Sequence, residues 1–580
     1  NESIIAYLKT ALSDNTKVNE DNFRFLLNYN TEKNPFESDK ETTVKIIDAI
    51  EKIKILDPAC GSGAFPMGIL HKLVLVLHKL DPENKYWYKL QYQKAIKETE
   101  EVFKVGDKQE REERLKEVNE AFDTSINDPN YARKLFLIRN CIYGVDIQEI
   151  AVQISKLRFF VSLLIDQQTD DNKPNRGIKA LPNLETKFVA ANTLIGLDRP
   201  QQLTIKDPDI EKLESELFKV REDIFYANSR WKKIELHNKI SQLCQQLKKE
   251  LLKSGFPNIT AEQITSWDLF DQNTHTDWFD TEWMFGIKDG FDVVIANPPY
   301  GNLLKSHEKK SMDDKYSFST LSDISSPFIE RGFTLLKNQG NLIFIITYAI
   351  TFSKVFSKNR ELVANGFKDI YIFTFDRDRC RIFESMTQTV SILKCFNKNS
   401  FNKKGIFTSR MFRETPAINN IEVTNCNKYL MPKLSEYNQK HRLPKIGEDI
   451  NRQILEKLLR FNDNVGSMIK NGGHKIWIRT SGNYWYNAFD RKPYDSVEIS
   501  PLYVDKDFAN FIILLMNPSL FYFWFRIYGD GRHMNMDILE SFPLPSREKI
   551  LKYNILLNKM KERFMNELFS VFEKERNRFM

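Results

Sequence analysis

The chain has 580 residues and a formal net charge of +7, from 85 basic and 78 acidic side chains. That length holds a large core and, at roughly 150 residues per domain, leads us to expect about four domains. The mild basic excess suits a nucleic-acid partner without demanding one. Six cysteines (Cys60, Cys141, Cys244, Cys380, Cys395 and Cys426) show no metal-ligand spacing, and the eight histidines form no cluster near them. This excludes a disulfide scaffold or a structural zinc site, so the expected protein is reduced, intracellular and cytoplasmic, with no metal. The apolar runs Leu342 to Phe352 and Phe511 to Tyr528 are too short, or are broken by Asn517, Pro518 and Arg526, so no membrane span is expected. No signal peptide is read at the start, and a chain beginning at Asn1 is expected to be a processed or truncated product.

Residues 1 to 50 read as helical, with a polar gap from Asn30 to Lys40. Ile53 to Leu56 is an apolar, strand-like run. It leads into Asp57-Pro58-Ala59-Cys60-Gly61-Ser62-Gly63-Ala64-Phe65 and then a helical run, Met67 to Leu80. Strand, glycine-rich turn and helix form the first unit of a nucleotide-binding α/β sheet. Gly61 and Gly63 permit a tight turn and close approach of a ligand. Asp57, at the strand end, can accept from a ligand ammonium. The third glycine of the dinucleotide fingerprint is replaced by Pro66, so the turn alone does not name its ligand.

Residues 81 to 135, including Lys108 to Glu120, read as a charged, solvated helical insertion. Leu137 to Asp146 reads as a second strand ending in an acid. That is where such sheets bind a ribose, although a lone Asp after a strand also serves as a helix cap. Glu149 to Leu164 has apolar residues at helical spacing and should cover the sheet. Phe188 to Ile195 reads as a third strand and turn. Residues 207 to 254 form a second helical insertion, a hairpin with stripes Leu213, Leu217, Val220, Ile224 and Leu236, Ile240, Leu243, Leu247.

Phe291 to Ala296 is a buried-looking strand that ends in Asn297-Pro298-Pro299-Tyr300. The Asn297 side-chain carbonyl and a nearby proline carbonyl can both accept, which fits a planar amino group with two N–H donors. Pro299 stiffens the turn, and Tyr300 offers a flat face for the ring that carries the amine. Asn-Pro is also an ordinary turn signal. Gly301 to Ser317 follows as a loop with Lys305, Lys309, Lys310 and Lys315. Phe328 to Leu336 reads as a helix, Gly340 to Thr347 and Ile370 to Phe375 as strands, and Cys380 to Phe396 as a turn and the last strands.

The two motifs in this order resemble the gamma-class amino-group DNA methyltransferases, which methylate adenine N6. The wording looks most like the methylase and specificity part of type IIG restriction–modification enzymes. The resemblance covers roughly residues 50 to 400 by motif. It implies a Rossmann-like class I methyltransferase sheet over residues 51 to 400, interrupted near 81–135 and 207–254, with S-adenosylmethionine as cofactor. It implies Asp57, Pro58, Ala59, Cys60, Gly61 and Gly63 around the methionine part, and Asp146 on the ribose. Ile147 would pack on the adenine ring and Asn192 would meet its amino group. Asn297, Pro298, Pro299 and Tyr300 would hold the target base, with Phe383 stacking on its other face. The usual Tyr-Thr-Pro segment before the glycine-rich turn is absent, and Thr42 or Thr43 would have to substitute.

Beyond residue 400 the chain mixes short strands, aromatics and bases: Trp477, Tyr484, Trp485, Tyr486 and Tyr494 with Arg479, Arg491, Lys492 and Arg532. Such interleaving suits groove contacts with duplex DNA. By resemblance, 401 to 545 is an α+β target-recognition domain, and 546 to 580 adds a C-terminal helix. Pro208-Asp209 lacks the following Glu-x-Lys of a nuclease, so a nuclease module is expected only outside this chain. Three readings stay open: a site-specific DNA methyltransferase, a catalytically idle recognition subunit of a restriction complex, and an RNA or protein amino-group methyltransferase. N4-cytosine chemistry would use the same hydrogen bonds.

Overall fold

The computed structural model describes all residues except 14–18, 103–107, 179–181, 199–207, 226, 228–229, 272–273, 377–379, 381, 384–387, 401–404, 413–429, 432–441, 482–486 and 580. The chain forms two compact units, one of residues 1–345 and 394–401, the other of 346–393 and 402–580.

The first unit opens with helices α1 (Glu2–Ala11), α2 (Glu20–Leu26) and α3 (Lys40–Lys52), followed by strand β1 (Ile55–Asp57). Next come α4 (Ala64–Leu80), α5 (Lys85–Val102), α6 (Lys108–Ala121) and α7 (Pro129–Cys141). Strand β2 (Ile142–Asp146), α8 (Glu149–Leu164) and β3 (Phe188–Ala190) complete the first half. The hairpin of α9 (Pro208–Phe225) and α10 (Arg230–Lys253) leads through α11 (Asn258–Ser266) and α12 (Thr281–Phe285) to β4 (Phe291–Ala296). Then come α13 (Ser306–Met312), α14 (Ser325–Leu335) and β5 (Leu336–Thr347). The strands lie in the order β3-β2-β1-β4-β5, each neighbouring pair parallel. Parallel strands buried on both faces explain their unbroken apolar runs.

Three expectations are corrected here. The stretch 81–135 is more than a solvated insertion, because Trp87, Tyr131 and Leu135 are buried in the same core cluster as β1 and β2 residues. Leu137 to Cys141 is helix, not strand. Helix α7 starts at the cap Asp128, whose carboxylate accepts from the Asn130 N–H, and every side chain from Tyr131 to Cys141 is buried. Its charges are satisfied internally: Lys134 pairs with Asp166 at 2.7 Å, and Arg133 donates to the Asp81 and Pro82 carbonyls at 2.9 and 2.8 Å. Helix α8 has the expected bounds but covers the sheet with one face only. Val152, Phe159 and Leu163 are buried, whereas Ile150, Ile154, Leu157 and Val161 are exposed. Of the hairpin stripes, Leu217, Val220, Ile224, Leu236, Ile240, Leu243 and Leu247 are buried, and Leu213 is half-buried.

The second unit holds β6 (Phe367–Phe375) and β8 (Gly405–Phe412), and β7 (Val390–Lys398) passes from it into the first unit at Lys394. Strand β8 pairs parallel with β6 and antiparallel with β9 (Leu430–Met431). Two small sheets follow. One joins β10 (Asp463–Asn464) to β14 (Pro543–Leu544). The other places β11 (Ile469–Arg479) between β12 (Ala488–Phe489) and β13 (Ile499–Val504), all antiparallel. The apolar run near Phe511 is two helices, Ala509–Met516 and Ser519–Tyr528, which meet at a 78° bend across Asn517-Pro518. Phe521, Trp524 and Phe525 are buried there. Among the described residues no single helix is long and apolar enough to cross a membrane. The expected final helix from Arg547 is two, Arg547–Lys552 and Asn554–Phe579, separated at Tyr553.

Candidate active site

The register sets three strand ends side by side. Asp57 of β1 lies opposite Gly144 of β2, and Leu56 lies opposite Val294 of β4. The turns that follow β1, β2 and β4 therefore leave the same edge of the sheet, where open α/β sheets bind ligands.

The glycine-rich turn is fixed from below. The Cys60 N–H donates to the Val145 carbonyl at 2.9 Å, and the Gly61 N–H donates to the Asp146 carboxylate at 2.8 Å. Ser155 on α8 donates to the Gly61 carbonyl at 2.8 Å. Gly61 (φ 52°) and Gly63 (φ 80°) both sit in the left-handed region, which favours glycine. A Cβ at Gly61 would meet no atom within 4 Å, so open space faces that turn. Asp57 is buried, and one oxygen accepts from the Ala59 N–H at 3.1 Å. Desolvation first, and Asp146 second, raise its carboxyl well above the ordinary range. Burial disfavours the lone carboxylate there, and a cationic group bound beside it would offset that cost. Asp146 is half-buried, and its other oxygen accepts from the Gln148 N–H at 3.0 Å. Ile147 is exposed beside it.

Asn192 follows β3. Its backbone N–H donates to the Thr276 carbonyl at 2.8 Å, and its side-chain oxygen accepts from the Leu194 N–H at 3.1 Å. The amide thus already serves its own turn. Thr42 and Thr43 are buried in α3 and use their hydroxyls locally, on Asp39 at 2.8 Å and on the Phe36 carbonyl at 3.3 Å.

After β4, Asn297 and Tyr300 are half-buried, Pro298 is buried and Pro299 is exposed. The Tyr300 hydroxyl contacts the Asn297 side-chain oxygen and lies 3.1 Å from the Ile345 carbonyl. Burial, with a smaller effect of Asp323, pushes the phenol above its usual value, so it stays protonated and able to donate.

Sequence reasoning missed the brace under the Asn192 turn. Thr193 donates to the Pro58 carbonyl at 2.7 Å, tying this turn to the glycine-rich one. Arg331 donates to the Thr193 carbonyl at 2.8 Å, and Tyr316 to the Leu194 carbonyl at 2.6 Å. No motif marks these residues, because their roles depend on long-range contact. Lys315, expected to be a loop cation, pairs with Asp198 at 2.9 Å. Phe383 is half-buried, in a bend of the second unit. In that unit Arg479 pairs with Glu498 at 3.3 Å, Lys492 pairs with Asp495 at 2.6 Å, and Arg491 lies over the Phe569 ring. Tyr484, Trp485, Tyr486 and Cys426 lie outside the described residues.

The order β3-β2-β1-β4-β5, with a glycine-rich turn after β1 and an acid ending β2, is that of an open nucleotide-binding α/β sheet. Residues 140–383 match the family described as Eco57I restriction-modification methylase. Methylases of this kind take their methyl group from S-adenosylmethionine, and the open turn, buried Asp57 and half-buried Asp146 fit such a ligand. A Methanocaldococcus jannaschii protein, RM.MjaORFECS2P, named as a candidate type II restriction enzyme and methyltransferase, is 26% identical over 399 residues. The match covers 60% of this chain and 30% of that relative. Among solved structures, the type IIL restriction-modification enzyme MmeI in complex with DNA aligns over 97% of this chain and 69% of its own, at 10% identity and a TM-score of 0.41. The type ISP restriction-modification enzyme LlaBIII bound to DNA aligns over 74% of this chain and 22% of its own, at 12% identity and a TM-score of 0.30.

Proposed function

We propose that the chain is a site-specific DNA methyltransferase of a restriction–modification or phage-defence system, acting on adenine N6. The observation that carries this reading is the register that brings the turns after β1, β2 and β4 to one sheet edge. S-adenosylmethionine would supply an electrophilic methyl group and, as its sulfur–methyl bond breaks, leave as the neutral thioether. Asp57 would hold its ammonium and Asp146 its ribose hydroxyls, while Ile147 packs on its adenine and Asn192 meets the adenine amino group. Pro58, Ala59, Cys60, Gly61 and Gly63 line the space between.

The catalytic work falls to positioning. Asn297 Oδ1 and the Pro298 carbonyl accept the two N–H groups of the target amine, which turns its lone pair toward the methyl. No strong base is needed first, because the nitrogen becomes acidic only as it gains the methyl and can then release a proton. Tyr300 stacks on the base, with Phe383 proposed for the other face. A duplex base must leave the stack to reach this turn, at a cost of a few kcal/mol. Stacking at roughly 1–3 kcal/mol per base offsets that cost. Residues 401–545 are the proposed target-recognition region.

The test is modified-base sequencing of DNA from a methylation-free host expressing the chain, beside Asn297→Ala. The expected result is N6-methyladenine in one sequence motif with the intact protein and none with the variant, which should still bind S-adenosylmethionine. An active Asn297→Ala protein, or a mark on cytosine N4, would overturn the assignment of site or base.

A further inference from the structure

The loop that follows Tyr300 carries an exposed apolar side chain, Leu303, at 60% exposure, and a second, Phe318, at 38%. Single exposed apolar residues are ordinary. These two differ in how firmly their backbone is held. The Gly301 carbonyl accepts from the Leu303 N–H at 3.1 Å and from the Ile324 N–H at 2.9 Å, which ties the two ends of the loop together. Lys309 donates to Asn302 Oδ1 at 2.5 Å, next to Leu303. The Lys305 N–H donates to the Glu308 carboxylate at 2.7 Å and starts α13, whose Met312 is buried. The buried Glu330 carboxylate accepts from the Ser317 and Phe318 N–H groups at 3.1 and 2.9 Å and from the Ser319 hydroxyl at 2.6 Å. An exposed leucine on a braced loop keeps its position without an ordering cost at the moment of binding. Around it, Lys305, His307 and Lys310 are exposed.

We propose that Leu303 is a wedge that enters the duplex beside the target base and fills the space the base leaves, while Lys305 and Lys310 contact the adjacent phosphates. This inference rests on the methyltransferase reading of the same site. Apolar side chains that insert between base steps stabilise unstacked DNA, and basic neighbours supply the backbone attraction. Leu303 stands three residues beyond Tyr300, so the residue that would receive the base and the residue that would replace it share one turn. The wedge makes base extraction easier and plays no part in methyl transfer. Leu303 is thus a positioning residue.

The experiment uses duplexes carrying the methylated motif, with the target base either correctly paired or mispaired, and the full chain as wild type, Leu303→Ala and Leu303→Met. A mispaired base costs less to extract. Leu303→Ala should lower kcat/KM on the paired duplex by about tenfold, as for the loss of one good stacking contact. It should recover to near wild-type rates on the mispaired duplex, and Leu303→Met should retain most activity on both. With 2-aminopurine at the target position, the fluorescence rise on binding should be weaker for Leu303→Ala than for wild type. Unchanged activity on the paired duplex would overturn the proposal, and so would an equal loss on both duplexes. If wild type methylates neither duplex, the methyltransferase reading fails first and the wedge falls with it.

Discussion

Asp57 shows what burial does to a single carboxylate. Its carboxyl ionises near 3.8 in an unfolded chain, but burial raises that value in the folded one. The unfolded chain therefore loses its proton first as pH rises, and the folded state becomes relatively less stable through that window. Below 3.8 the penalty is absent, and above the folded value it is complete. Asp57→Asn keeps an acceptor for the Ala59 N–H and removes the charge. The expected outcome is a higher unfolding temperature at about pH 7, little difference from wild type at about pH 3.5, and weaker S-adenosylmethionine binding by calorimetry. Equal melting at both pH values would show that Asp57 carries no such cost.

At the scale of elements, the contact between the glycine-rich turn and α8 decides which glycine packs against the fold and which faces open space. A Cβ on Gly63 would approach the Ser155 hydroxyl to 2.8 Å at a φ of 80°. One on Gly61 would touch nothing. Gly63→Ala should therefore destabilise the chain by about 1–3 kcal/mol, from backbone strain and the displacement of Ser155. Gly61→Ala should melt closer to wild type yet bind S-adenosylmethionine poorly, because its methyl enters the open side of the turn. Thermal melts and calorimetry separate the two, and a reversed pattern would contradict this division. The departures of α7 and α8 from expectation have a related cause. Leu137 to Val145 holds two short apolar runs around Arg139 and Asn140, and such short runs do not distinguish a buried helix from a buried strand. Helix α8 is apolar on both faces, so periodicity marks its bounds and does not say which face meets the sheet.

For the molecule as a whole, the first unit carries all of the proposed cofactor residues. Ligand binding to the folded state stabilises it by about 2.7 kcal/mol at a hundredfold excess over Kd. S-adenosylmethionine should therefore slow amide exchange in β1, β2 and the glycine-rich turn, and leave the β12-β11-β13 sheet of the second unit unchanged. Hydrogen-exchange measurements with and without the ligand check this. Unaltered exchange at residues 55–64 and 142–147 would remove the cofactor from that cradle. A chain of two compact units also need not unfold in a single step, so the local readout is more informative than one melting temperature.

Features set by local chemistry could be read from the residues alone. The glycine-rich turn, the acid after β2 and the Asn-Pro-Pro-Tyr turn were legible because each needs particular residues in a short, fixed spacing. The α9–α10 hairpin was legible because helical periodicity is local too. Which turns share a sheet edge, the bracing of the Asn192 turn by Thr193, Arg331 and Tyr316, and the place of Trp87 and α7 in the core were visible only in the folded chain. Those facts arise from contacts between residues far apart in the chain. A hydroxyl or guanidinium that satisfies a distant backbone carbonyl leaves no periodic trace in the sequence around it.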